Sequence, residues 1–117
     1  MQSLKRLPAS FFRSERGHEP VRDWLKELSV DDRKTVGLDI AKAEFGWPIG
    51  MPTCRALGDG LWEIRSDLSG NRITRVFFCV FAGHMVLLHA IAKKTQKTPQ
   101  AALALARKRM KEVQTHD

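Results

Sequence analysis

Arg65, Arg75, Lys93, Lys94 and Lys97 fall in one stretch, Leu61 to Pro99, whose only carboxylates are Glu63 and Asp67. The stretch reads as three strand-like segments. Strands that bury apolar side chains while holding cations near their ends make a rigid, positively charged surface, and such a surface suits a polyanion. The chemistry to expect is recognition of a phosphate backbone, in RNA or DNA.

Register decides whether these cations meet. Ser69-Gly70-Asn71 separates Leu61–Arg65 from Ile73–Phe81, and a hairpin centred on Gly70 sets Arg65 opposite Arg75 on one sheet face. Like charges opposite each other destabilise a strand pair, so an anion is implied. It is either a nearby carboxylate, with Glu63 able to pair with either arginine, or a ligand phosphate. Ala82-Gly83 then leads into Met85–Ala92. As a two-residue turn it brings Lys94 to the arginine face and points Lys93 away; a bulge exchanges them. Both lysines are candidates.

The segment before this sheet is helical in pattern. Pro20 suits a first helical position, and Val21, Trp24, Leu25 and Leu28 follow helical spacing. Ser29 with Asp32 resembles a capping box for a second helix, whose Val36, Ile40 and Ala43 form an apolar stripe ending before Gly46. Ala9–Arg13 is a short strand candidate. Trp47, Pro48, Gly50 and Pro52 form a turn-rich connection, and Thr98 is expected to cap a last helix with Pro99 at its first position. The class is α+β: an N-terminal strand and two-helix hairpin packed on a mostly antiparallel three- to four-stranded sheet, with a C-terminal helix.

Composition bounds the function classes. The 117 residues imply one domain over 1–117, large enough to bury roughly 65% of its unfolded surface. A net charge of +7 attracts phosphates at long range. Cys54 and Cys79 share no CxxC spacing and are too few for a disulfide framework or a four-cysteine zinc site, so reduced thiols, a cytoplasmic location and no metal or cofactor are expected. Lys5, Arg6 and Pro8 interrupt any secretory signal. Phe77–Ala92 is shorter than the roughly 20 residues of a spanning helix and is broken by Gly83, His84 and His89; no membrane partner is expected.

Leu57-Gly58-Asp59-Gly60-Leu61-Trp62-Glu63-Ile64-Arg65, Arg75-Val76-Phe77-Phe78, Leu87-Leu88-His89 and Lys93-Lys94-Thr95-Gln96-Lys97-Thr98-Pro99 resemble the HigB-type, phage-related branch of the RelE/ParE toxin superfamily. The resemblance covers about half the chain closely and agrees with the element order of the rest. It implies a RelE-like fold and a toxin of a type II toxin–antitoxin pair. The expected partners are a cognate antitoxin, often a helix-turn-helix protein, together with mRNA on the ribosome and ribosomal RNA. The implied activity is mRNA cleavage in the ribosomal A site.

Such cleavage needs no metal when the RNA 2′-hydroxyl attacks the adjacent phosphorus and the protein stabilises the phosphorane and helps the 5′-oxygen leave. By the resemblance, Arg65 and Arg75 clamp the scissile phosphate, and Lys93 or Lys94 supplies a further catalytic cation that assists proton transfer. Arg55, Arg72 and Lys97 hold flanking RNA or ribosomal RNA. Replacing Arg65 or Arg75 by alanine is expected to abolish toxicity while sparing the fold. Some relatives use a C-terminal tyrosine, and this chain has none. His89, an alternative acid or base, reads better as a core histidine, and the three tryptophans read as packing residues. The basic run Arg107, Lys108, Arg109 and Lys111 reads equally as a solvated helix face and as an RNA contact.

Three rivals stand beside this reading. Asp59, Glu63 and Arg65 faintly resemble the acid, acid, base set of a metal-dependent nuclease, but Mg²⁺ needs clustered carboxylates and Arg65 stands where lysine belongs. ParE-like members share the fold, lack the cationic set and bind DNA gyrase. A non-catalytic RNA-binding module is the third.

Overall fold

Alternating apolar runs and turn residues produce a three-layer arrangement in the computed structural model of the protein, which describes residues 4–94 and 97–115. The chain runs β1 (Ala9–Phe11), α1 (Pro20–Glu27), α2 (Val30–Gly46), β2 (Cys54–Gly58), β3 (Leu61–Leu68), β4 (Arg72–Phe81), β5 (His84–Lys93) and α3 (Gln100–Thr115). The strands form one sheet in the order β1-β5-β4-β3-β2, antiparallel except where β1 runs parallel to β5. The α+β class holds. The sheet has five strands rather than three or four, because β2 was not anticipated. Its sequence, CRALG, follows Pro52 and lies at the sheet edge with Arg55 and Ala56 exposed, so it carries no buried alternating pattern. Thr95 and Gln96 of the lysine motif lie outside the described residues.

Strand alternation divides the side chains between two cores. On one face Ile64, Leu68, Val76, Phe78, Met85 and Leu87 pack against Val21 of α1 and Val36, Ile40 and Ala43 of α2. On the other, Leu61, Phe77, Cys79, Val86 and Leu88 pack against Ala102, Ala106 and Met110 of α3.

Local chemistry fixes the element ends. Ser29 Oγ accepts from the Asp32 amide at 3.2 Å, the expected cap of α2. From α2, Arg33 donates to the carbonyls of Leu25, Lys26 and Leu28, each at 3.0 Å, and so satisfies the open end of α1. The β3–β4 turn, Ser69–Asn71, places Gly70 at φ 74°, a left-handed conformation that glycine adopts without a Cβ penalty. Thr98 departs from expectation. Helix α3 starts at Gln100, and the Thr98 hydroxyl instead donates to Glu63 Oε1 at 3.4 Å.

The β4–β5 register contains the feature that matters most for the site. Phe78 pairs with Leu87 but Phe77 pairs with His89, leaving Leu88 as the extra residue of a β-bulge. Beyond this bulge Lys93 sits opposite Ile73 and shares its face with Arg75. Of the two alternatives left open by the sequence, the structure takes the one that turns Lys93 to the arginine side.

Candidate functional site

Three cross-strand rows line the α3 face. Arg55, Glu63, Phe77 and His89 form one, Arg65, Arg75 and Ile91 the next, and Asp67, Ile73 and Lys93 the last. Arg65 and Arg75 are direct partners, as the Gly70-centred hairpin requires. Their mutual repulsion is answered inside the sheet, since each has its own carboxylate. Asp67 Oδ1 lies 3.4 Å from Arg65 Nη2, whereas Glu63 Oε2 accepts a short hydrogen bond from Arg75 Nη1.

The two arginines therefore have different characters. The Arg65 side chain keeps 32% of its surface exposed and meets Asp67 in solvent. Arg75 keeps 3% and Glu63 1%, so this pair is a buried element of the scaffold. Thr98 ties the segment entering α3 to the same carboxylate. Sequence reasoning assigned Arg75 to the phosphate, but its guanidinium has been drawn into the interior by Glu63. A buried guanidinium without a carboxylate would be far more costly than the pair.

Two of the candidate cations meet at the end of the sheet. Arg65 and Lys94 line one cleft of about 260 Å³ with Asp67, Leu68, Asn71, Arg72 and Ile73. Lys93 is exposed on the Arg65 side, and Arg55 and Lys97 are exposed as well. Arg72 touches the cleft but has another task. Its Nη1 and Nη2 grip Asp32 of α2 at 2.8 and 3.2 Å, while Nε donates to the Ser69 carbonyl at 3.0 Å. That fork raises the Arg72 pKa and holds the Asp32 carboxyl below the ordinary range, through the hydrogen bonds between them. Arg72 is thus a strut between β4 and α2, not one of the free-reaching cations expected along an RNA path.

A family model described as phage-derived protein Gp49-like (DUF891) matches residues 23–111, from α1 through most of α3. The chain belongs to this Gp49-like family. The family is one of RelE/HigB-like toxins, which agrees with the layered α+β fold. A comparison with curated proteins gives no match.

In this Gp49-like chain, several of the remaining candidates are engaged in packing. His89 is half-buried, stacked on Phe77 at 6.0 Å between ring centroids and 3.4 Å from Arg109 Nη1. Burial, and then the Arg109 charge, push its pKa down. This is the core histidine that the Leu87–Ile91 context suggested. Trp47 meets Trp62 edge to face at 4.9 Å over Phe78, a packing cluster. Burial raises Cys54 and Cys79 to about 11, which favours the protonated thiol at neutral pH. The basic run on α3 divides: Arg107 donates to the Leu57 and Gly58 carbonyls, Arg109 to Leu88, and Lys108 and Lys111 stay exposed. Asp59 sits in the β2–β3 turn and Glu63 is committed to Arg75, so the acid, acid, base set does not assemble. No helix among the described residues is long and apolar enough to cross a membrane.

From sequence Glu63 could pair with either arginine, and it pairs with Arg75; the residues missed are Thr98 as its second partner and Asp32 as the anchor of Arg72. Glu63 shares its face with Arg75 one row away, and an isolated carboxylate at an inward strand position needs a cation.

Proposed function

We propose that this Gp49-like chain is the toxin of a type II toxin–antitoxin pair and a ribosome-dependent mRNA endonuclease that cuts RNA without a metal. The observation that carries this reading is the shared cleft of Arg65 and Lys94; the β5 bulge puts Lys93 on the sheet face of Arg75, beside Ile73 and outside the lining of that cleft. In this reaction the 2′-hydroxyl attacks the adjacent phosphorus, the P–O5′ bond breaks, and the products are a 2′,3′-cyclic phosphate and a 5′-hydroxyl. Water takes the proton from the 2′-hydroxyl as it attacks, Arg65 stabilises the charge on the phosphorane oxygens, and the ammonium of Lys93 or Lys94 gives a proton to the departing 5′-oxygen. Arg75 acts through Glu63, as a positioning residue that keeps β3 and β4 in the register on which Arg65 depends. Arg55 and Lys97 hold flanking RNA. A cognate antitoxin binds the toxin, and mRNA with ribosomal RNA forms the substrate.

Induction of wild-type and Arg65→Ala proteins, with primer extension on cellular messages, tests the proposal. In-frame cleavages that also appear with purified ribosomes, leave a 2′,3′-cyclic phosphate as transesterification requires, and vanish in the soluble variant are the expected result. Undiminished toxicity of Arg65→Ala overturns it. One observation favours a second reading, in which the protein binds DNA gyrase and cuts nothing: burial of Arg75 leaves a smaller cationic set than a phosphate clamp with two arginines. Replication arrest preceding translation arrest after induction would select that reading.

A further inference from the structure

The sheet-facing side of α3 is apolar apart from a cation. Ala102, Ala106 and Met110 pack on the sheet with Leu103 and Val113 beside them, and the half-buried Arg109 reaches in among them. Its Nη1 donates to the Leu88 carbonyl at 2.9 Å and lies 3.4 Å from Nδ1 of His89, while the guanidinium stands 5.6 Å from the centre of the Phe12 ring. Desolvation and lost rotamer freedom oppose such a placement, so the bonds made there must offset both.

Those bonds converge on the β5 bulge. Strand β1 pairs with β5 as far as Phe11 and Leu87, and the bulge begins at the next residue, Leu88. It sets two successive side chains on the α3 side, Leu88 in the core beneath the helix and His89 against Phe77. Arg109 spans both, from the carbonyl of the first to the ring of the second. A guanidinium has only donors, so Nδ1 of His89 is the accepting nitrogen in this contact.

The bulge fixes the register of all that follows it. Before it Phe78 pairs with Leu87; after it Phe77 pairs with His89, Arg75 with Ile91 and Ile73 with Lys93. A ladder continued without the extra residue puts Ala92 opposite Ile73 and turns Lys93 to the other face. Lys94, which lines the cleft with Arg65, moves with it. The slipped ladder also turns His89 toward the α1 and α2 core, so it competes with the native register without replacing it.

We propose that Arg109 is a positioning residue for RNA cleavage: from α3 it holds the β5 bulge, and so the register that sets Lys93 on the Arg75 face and brings Lys94 to Arg65. The proposal rests on the nuclease reading and deepens it. Arg109 acts through the strand, since Lys93 lies about 17 Å along β5 from Leu88.

The test compares Arg109→Met with Arg107→Met in the full chain. Both remove a guanidinium by which α3 grips backbone carbonyls, but Arg107 bonds Leu57 and Gly58, away from β5. In isotope-labelled protein the nuclear Overhauser contact between Ile73 and Lys93 should weaken severalfold in Arg109→Met, with a new one between Ile73 and Ala92. Arg107→Met should keep the wild-type pattern. In multiple-turnover cleavage on ribosomes, Arg109→Met should lower kcat about tenfold or more and leave KM within about twofold of wild type; Arg107→Met should leave both unchanged. An unaltered contact between Ile73 and Lys93 in Arg109→Met overturns the proposal. So does a raised KM at unchanged kcat, which makes Arg109 an RNA contact, and so do equal losses of kcat in the two variants, which make the effect general to α3. Should Arg109→Met fail to fold by circular dichroism, Arg109→Gln, polar but too short to reach Leu88, gives the same comparison. If wild type itself does not cleave, the nuclease reading fails while the Overhauser contacts still decide whether Arg109 sets the register.

Discussion

At the scale of single residues, the Glu63–Arg75 pair governs how substitutions should be interpreted. Both side chains are almost fully buried, and removing one partner strands the other charge in the interior. Glu63→Ala or Arg75→Ala should each cost about 3–5 kcal/mol, whereas Arg65→Ala, at the surface, should change stability by only about 0.5 kcal/mol or less. Urea unfolding of the three variants checks this, and a stable Arg75→Ala would refute the scaffold role. The expectation that both arginine variants spare the fold is thereby split, because only Arg65 is in solvent. Acid should act at two other residues. Burial and Arg109 lower the folded pKa of His89, so the neutral ring is favoured in the native state. Its contribution is intact above the unfolded value of 6.5 and is lost as pH falls through the folded one. Asp32, lowered by Arg72, follows the same sign from 3.8 downward. Stability measured from pH 7 to 5 should decline in wild type and decline less in His89→Phe.

At the scale of elements, most of the architecture was legible because local chemistry and burial agree. The Ser29 cap, the Gly70 turn and the alternation in β3 through β5 each state their structure in a few residues. Helix α1 shows how far a neighbour can help. It has 8 residues, too few to hold itself together in isolation, and its last carbonyls are satisfied by Arg33 from the next helix. Arg33→Ala should lower stability by about 1–2 kcal/mol and speed amide exchange at the end of α1; unchanged exchange there would show that water replaces the guanidinium without loss. The illegible parts were those decided by long-range packing. Strand β2 exists because β3 offers it a free edge, and CRALG carries no pattern of its own. The Leu88 bulge turns on whether one more apolar side chain fits beneath α3. Whether Lys93 or Lys94 faced the arginines depended on that single packing decision. Arg72 looked like another cation beside a turn until α2 was placed over it with Asp32.

At the scale of the whole molecule, a net charge of +7 does not mean that every cation is available to a polyanion. Arg33, Arg72, Arg75, Arg107 and Arg109 are occupied by carbonyls or carboxylates. The cations proposed for RNA are Arg55, Arg65, Lys93, Lys94 and Lys97, of which Arg65 and Lys94 line the candidate cleft. If these five carry the contact with single-stranded RNA, counterion release gives a slope of log Kobs against log salt of about −3.5. Arg65→Ala should make that slope shallower by about 0.7, and so should replacement of Lys94. Arg75→Met, which fills the buried site without a charge, should leave the slope unchanged wherever it folds. The comparison separates the two roles without any assay of cleavage, since a phosphate contact alters the salt dependence and a buried strut does not. If Arg75→Met flattens the slope as much as Arg65→Ala, Arg75 leaves Glu63 for the RNA on binding, and its buried position describes the resting state alone.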